Sequence, residues 1–132
     1  MIVVDSSAFI EYYRPGGDEH VSAAVAEAIA SDQVMISGII QVEIVAFASA
    51  RDDYKRLSAD FQAFHWLETS LPDYERAAEI GFQLRRDGLT VPAADLIIAA
   101  SVIRAGATLY HIDQHYVGIA ERTDLQARHL LQ

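Results

Sequence analysis

Short apolar runs alternate along this chain with longer stretches of helical periodicity. Ile2, Val3 and Val4 form a β-branched run that reads as a buried strand. Similar short runs follow at 34–37 (VMIS), 65–70 (HWLETS) and 108–112 (TLYHI), and 124–130 (DLQARHL) reads as a weak, edge-like last strand. Between them lie helical patterns. Ser6 or Ser7 would cap a short helix through AFIEYY that Pro15, Gly16 and Gly17 end. A second helix spans Asp18 to Ala30, a third covers 38–50, and a fourth runs from about Asp52 to Phe64. Leu71 and Pro72 introduce DYERAAEIGFQLRRDG, with Gly88 as its cap. TVPAADLIIAASVIRAG then starts at Thr90 as a cap and stops at Gly106, and it is apolar nearly all round, as a central helix would be. A turn and a helix at 113–121 complete the set.

Strands separated by helices imply right-handed crossovers and a mostly parallel sheet of the α/β class. Ligands of such sheets sit beyond the carboxyl ends of the strands, where strand order reverses. Asp5 ends the first strand, at that edge, and Asp113 ends the strand TLYHI in the same way. If those strands are neighbours, the two carboxylates lie roughly one strand spacing apart, about 5 Å. Glu43 lies inside IIQVEIVAF, and Asp95 in the first turn of the most apolar helix. Each acid has a plain structural reading: Asp5 as a helix cap, Asp95 as a first-turn charge, Glu43 paired with an arginine, Asp113 as a turn residue. Together those readings leave unexplained why two acids end strands and two lie in the most apolar helices.

Composition narrows the chemistry. The 132 residues, with 52% hydrophobic and 22% charged, fit one globular domain, 1–132, able to bury about two thirds of its unfolded surface. No apolar run approaches the roughly 20 residues of a membrane span, and no secretory signal is visible, so a cytoplasmic protein is expected. The absence of cysteine excludes disulfides and thiolate metal sites. The net charge of −9 weighs against general affinity for nucleic acid, although nine of the ten bases are arginines, the better phosphate ligands. Clustered carboxylates raise one another's pKa unless a cation neutralises them, and a hard divalent ion such as Mg²⁺ or Mn²⁺ suits oxygen ligands. Such an ion, with space for water and phosphate, is the equipment of phosphodiester hydrolysis.

IVVDSSAF, QVEIVAF, AADLIIAAS and LYHIDQHYVGIA, in this order over essentially the whole chain, resemble the PIN domain, and more narrowly the VapC-type ribonuclease toxins of bacterial toxin–antitoxin pairs. The resemblance implies a three-layer α/β/α domain with a parallel sheet of about four or five strands. It implies a Mg²⁺- or Mn²⁺-dependent endoribonuclease acting on structured RNA such as tRNA or rRNA, commonly a homodimer, with a cognate antitoxin that inserts a segment near the site. Its acids fall on Asp5, Glu43, Asp95 and Asp113, with Asp5, Asp95 and Asp113 as metal ligands and Glu43 orienting or activating the attacking water. Many members carry Ser or Thr two residues before the last acid and another acid two residues after it. Here those places hold His111 and His115, which leaves one or two metals open. Ser6 and Ser7 are secondary candidates beside Asp5. Arg14, Arg85 and Arg86 are the arginines placed nearest RNA. Two other classes compete. A silent binding module on the same fold would have no reason to keep buried charges that cost stability. An aspartate-based phosphoryl-transfer protein usually needs a second acid two residues after the first and a catalytic lysine, whereas Ser6 and Ser7 follow Asp5 and the only lysine is Lys55.

Overall fold

The computed structural model describes Met1–Gln132 and places the opening apolar run, β1 (Ile2–Val4), at the centre of a five-stranded parallel sheet. The chain continues through α1 (Ser6–Tyr13), α2 (Glu19–Ala30), β2 (Val34–Ile36), α3 (Gly38–Val45), α4 (Arg51–Ala63) and β3 (His65–Trp66). It closes with α5 (Leu71–Arg86), α6 (Ala93–Ala105), β4 (Thr108–His111), α7 (Gln114–Ala120) and β5 (Gln126–His129). Strand order is β3-β2-β1-β4-β5, so order reverses between β1 and β4. Right-handed crossovers then put α1 to α4 on one face and α5 to α7 on the other. Contacts agree: α1 packs on α2 and α3, α3 on α4, α5 on α6 and α6 on α7. This is the α/β/α arrangement expected from the sequence. No helix is long and apolar enough to cross a membrane.

The core explains why the short strands hold. Val3, Val4, Ile36 and Leu109 are fully buried between the two helical layers, with Phe9, Ile40, Ile98, Tyr116 and Ile119 from the helices. On one face, Phe9, Tyr13, Phe61 and Phe64 form an aromatic cluster with ring centroids 5.0–6.4 Å apart. Tyr13 donates its hydroxyl to Asp60 at 3.0 Å. Both edge strands are weak: β5 has half of its residues partly covered, and the two residues of β3 are both exposed.

Several boundaries differ from the sequence reading, each for a local reason. Asp5, not Ser6 or Ser7, caps α1, its carboxylate accepting from the Ser7 amide. The third helix stops at Val45 rather than 50, since Phe47 and Ala48 turn back on Ile44 and Val45 through short-range hydrogen bonds. The strand read at 65–70 keeps two residues, because only Met35 and Ile36 remain as partners. Thr90 does not cap α6, which begins after Pro92. Gly106 does stop that helix, in the left-handed region at φ 65°.

Asp73 ties the α5–α6 pair together. It is 1% exposed and accepts from the Ser70 amide at 2.9 Å, closing a capping box. It also takes the Arg104 guanidinium at 2.7 Å. Burial pushes its carboxyl up, but the hydrogen bonds from Arg104 and Ser70 outweigh that and hold it below the usual carboxylate value. Asp73→Ala should lower unfolding free energy by about 2 kcal/mol in urea titration, a cap plus a half-exposed ion pair. A loss within the scatter of ordinary surface substitutions would contradict this.

Candidate metal centre at the carboxyl edge of the sheet

Strand order reverses between β1 and β4, the place where such sheets bind ligands, and four elements bring acids to that edge. Asp5 leaves the end of β1, Glu43 stands on α3, Asp95 opens α6, and Asp113 caps α7. The four acids are therefore gathered at one edge, although they are up to 108 residues apart in the chain. Their neighbours are hydrogen-bond donors. Asp5 Oδ2 accepts from the amide and the hydroxyl of Ser7, at 3.0 and 2.6 Å. Its Oδ1 accepts from the Tyr116 hydroxyl at 2.9 Å, and the same hydroxyl lies 3.4 Å from Asp95 Oδ1. Ser6 donates to Glu43 Oε1 at 2.6 Å. Asp113 Oδ1 accepts from the His115 amide at 2.9 Å, and His115 Nδ1 lies 2.9 Å from Asp95 Oδ2 and 3.3 Å from Asp113 Oδ1.

None of the four acids forms an ion pair with a lysine or arginine. The arginine partner considered for Glu43 is absent; a serine stands there instead. The electrostatic result is clear. Burial raises the Asp95 carboxyl above its ordinary value, with Asp5 and Asp113 adding to the shift and the His115 hydrogen bond opposing it. Burial likewise raises Glu43, helped by the charges of Asp5 and Asp95 and opposed by Ser6. Tyr116 is fully buried, and burial together with the Asp5 and Asp95 charges keeps its phenol protonated, a permanent donor between two carboxylates.

The strand register corrects one sequence expectation. Val4 pairs with Tyr110, and the Asp5 amide donates to Tyr110, so the residue beside Asp5 across the ladder is His111, not Asp113. His111 is 1% exposed, packed edge-on between Tyr116 and His129, and burial lowers its pKa. Its Nδ1 accepts the Asp113 amide at 3.1 Å, which fits the neutral ring. His111 thus shapes the Asp113 turn from behind, while His115, 41% exposed in its side chain, faces the acids. Ser7 closes the seam between the strands, accepting from the Ile112 amide at 3.2 Å.

Two contributors escaped the sequence reading. Tyr116 carries no motif of its own; its only signal is a polar aromatic three residues past Asp113, on the buried side of a short helix. Ser37 follows β2 two positions on from the Val3–Met35 pair, which sets it beside Asp5. It is 1% exposed, and its hydroxyl has no hydrogen-bond partner. Of the arginines, Arg14 pairs with Glu11 and lines, with Ser6 and Glu43, a groove of about 840 Å³ walled by Phe9, Ile10 and Phe47. Arg85 and Arg86 line a separate groove between α5 and the start of α6.

The donor set suits a hard divalent cation: carboxylate oxygens with no cationic side chain among them, one imidazole, and an unpaired buried hydroxyl nearby. Asp95, Asp113 and His115 alone offer three ligand atoms all within 4.8 Å of one another. Fold and site together define a small α/β/α protein with a carboxylate centre at the switch point of a parallel sheet. The chain matches the PIN domain over residues 2–121 and belongs to that family. A VapC ribonuclease of Mycobacterium bovis is 31% identical over 96% of this chain and 97% of its own length, which places the chain with the VapC type. Among solved structures, FitAcB from Neisseria gonorrhoeae superposes with a TM-score of 0.81 at 23% identity, covering 100% of this chain and 99% of that one. A toxin–antitoxin complex from Klebsiella pneumoniae gives a TM-score of 0.71 at 18% identity, over 86% and 88% of the two chains.

The raised Glu43 pKa has a thermodynamic consequence. A carboxyl whose folded pKa lies above its unfolded value weakens the fold at higher pH, and the penalty vanishes as protons bind. In chelator, Glu43→Gln should therefore melt roughly 2 °C above the parent at neutral pH. The gain should shrink as pH falls through the folded pKa and be gone below 4.5. A difference that persisted unchanged into acid would assign the effect to something other than the charge.

Proposed function

We propose that this protein is the ribonuclease toxin of a toxin–antitoxin pair, hydrolysing RNA phosphodiester bonds with Mg²⁺ or Mn²⁺. The observation that carries this reading is the convergence of Asp5, Glu43, Asp95 and Asp113 with no lysine or arginine to balance them. The names of the relatives, VapC ribonucleases, support the same activity. Asp5, Asp95 and Asp113 would hold the ion, directly or through water. Bound there, a divalent ion lowers the pKa of a water molecule and offsets charge on the phosphate.

The chain's own residues supply the remainder. The Tyr116 hydroxyl and Ser7 hold Asp5 in one orientation, with both of its oxygens fixed. Ser6 orients Glu43, which would take a proton from the attacking water. With a net charge of −9, RNA binding depends on local arginines and on the ion rather than on general basicity. Arg14, beside Glu43 in the wide groove, is the arginine best placed for a phosphate of structured RNA such as tRNA or rRNA.

Two apolar surfaces support the reading of protein partners. The groove holding Glu43 is rimmed by Ile10 and Phe47, 50% and 83% exposed, and would take an antitoxin segment that reaches the acids. On α5, Leu71, Tyr74 and Phe82 recur at helical spacing and are 70%, 50% and 64% exposed, a face suited to a second copy of the chain.

Asp5→Asn and Asp95→Asn, each assayed on total RNA with Mn²⁺ and with chelator, test the reading. Cleavage should fall at least about 100-fold in either variant and vanish with chelator. Mn²⁺ at a hundred times its Kd should stabilise the parent by about 2.7 kcal/mol and leave Asp5→Asn nearly unmoved. Intact RNA with the metal-loaded parent, or equal cleavage by the variants, would refute it. Phe82→Glu should turn a dimer into a monomer by light scattering; an unchanged mass would exclude the α5 face.

A further inference from the structure

We propose that His115 is a nitrogen ligand of the divalent ion and that it biases the centre toward Mn²⁺ over Mg²⁺. The inference rests on the metal-dependent reading above and concerns which atoms fill the ion's shell. Ligands at about 2.1–2.2 Å from an octahedral ion lie about 3.0 Å apart when adjacent and about 4.3 Å when opposite. His115 Nδ1 lies 2.9 Å from Asp95 Oδ2 and 3.3 Å from Asp113 Oδ1, the separations of adjacent ligands. One ligand atom from each of the three residues lies within 4.8 Å of the other two, close enough for a small shift to gather them on one ion.

The ring is held for this. Asp113 caps α7 by accepting the His115 amide, which fixes the backbone that carries the imidazole. The side chain is 41% exposed, so an ion with its waters can reach it from solvent. His111, by contrast, is buried, and its Nδ1 is taken by the Asp113 amide. At these distances His115 Nδ1 carries the proton, since a carboxylate only accepts. Ligation leaves the neutral ring protonated at Nε2 and turns the Nδ1 lone pair to the ion.

The consequence is a face of two carboxylates and one imidazole rather than oxygen alone. Mg²⁺ favours oxygen ligands and parts with its waters reluctantly, whereas Mn²⁺ accepts imidazole more readily. Replacing the ring by a carboxylate should move the preference back toward Mg²⁺.

The test uses the full chain with Mn²⁺ alone, one equivalent, examined by electron spin-echo envelope modulation. The parent should show ¹⁴N modulation from a directly bound imidazole, and both His115→Asp and His115→Gln should lose it while keeping the parent's circular dichroism. Calorimetric titration should find the ratio of Mn²⁺ to Mg²⁺ affinity lowered at least about tenfold in His115→Asp. A parent that binds Mn²⁺ and cleaves RNA but lacks ¹⁴N modulation, or a signal that persists in both variants, overturns the role of His115 and leaves the nuclease reading standing. A parent that binds no Mn²⁺ and cleaves nothing overturns both.

Discussion

A single phenol hydroxyl, that of Tyr116, lies between two carboxylates that would otherwise repel each other, and the site is arranged around it. It donates to Asp5 at 2.9 Å and stands 3.4 Å from Asp95. Since the ring is fully buried among like charges, its proton does not leave. One proton, however, offsets neither charge. Ser6, Ser7 and His115 add donors to the other oxygens, and still the Asp95 and Glu43 carboxyls stay above their ordinary values. Neutral donors can orient carboxylates but cannot replace the missing positive charge. The fold holds these side chains in place at a cost to its own stability, a cost that the proposed cation would relieve.

The parallel sheet makes that arrangement possible. Because β1 is flanked by β2 and β4, its carboxyl end meets the reversal in strand order, and Asp5 arrives there within the first few residues of the chain. The same geometry gives α1 and α7 their caps. Asp5 and Asp113 each cap a helix at the carboxyl edge of the sheet, so the role of cap and the proposed role of ligand do not compete for the residue. A chain of net charge −9 gains little from nonspecific attraction to RNA, and its exposed Phe47, Ile10 and Phe82 offer area to protein partners.

Sequence and structure agree where the signal is local and strong. The β-branched run Ile2–Val4, the stop at Gly106 and the acids in apolar contexts were all legible, because each is a departure from its immediate neighbours. What was not legible depends on register and on side-chain direction. Nothing in TLYHID says that His111 rather than Asp113 stands across from Asp5; that follows from pairing Val4 with Tyr110. Tyr116 is one of six tyrosines, and only the docking of α7 on the sheet separates it from the rest. Serine and aspartate both favour the cap position, and only the structure shows that Asp5 takes it and frees the Ser6 and Ser7 hydroxyls for Glu43 and Asp5 itself.

The central claim is that the carboxyl edge of β1 and β4 is a divalent-ion centre. It is tested most directly by anomalous diffraction at the manganese edge from crystals soaked in Mn²⁺. The account expects a peak at the focus of Asp5, Asp95 and Asp113, lost in Asp5→Asn crystals of the same form. A map with no peak there at saturating Mn²⁺, or with one elsewhere on the molecule, would contradict it.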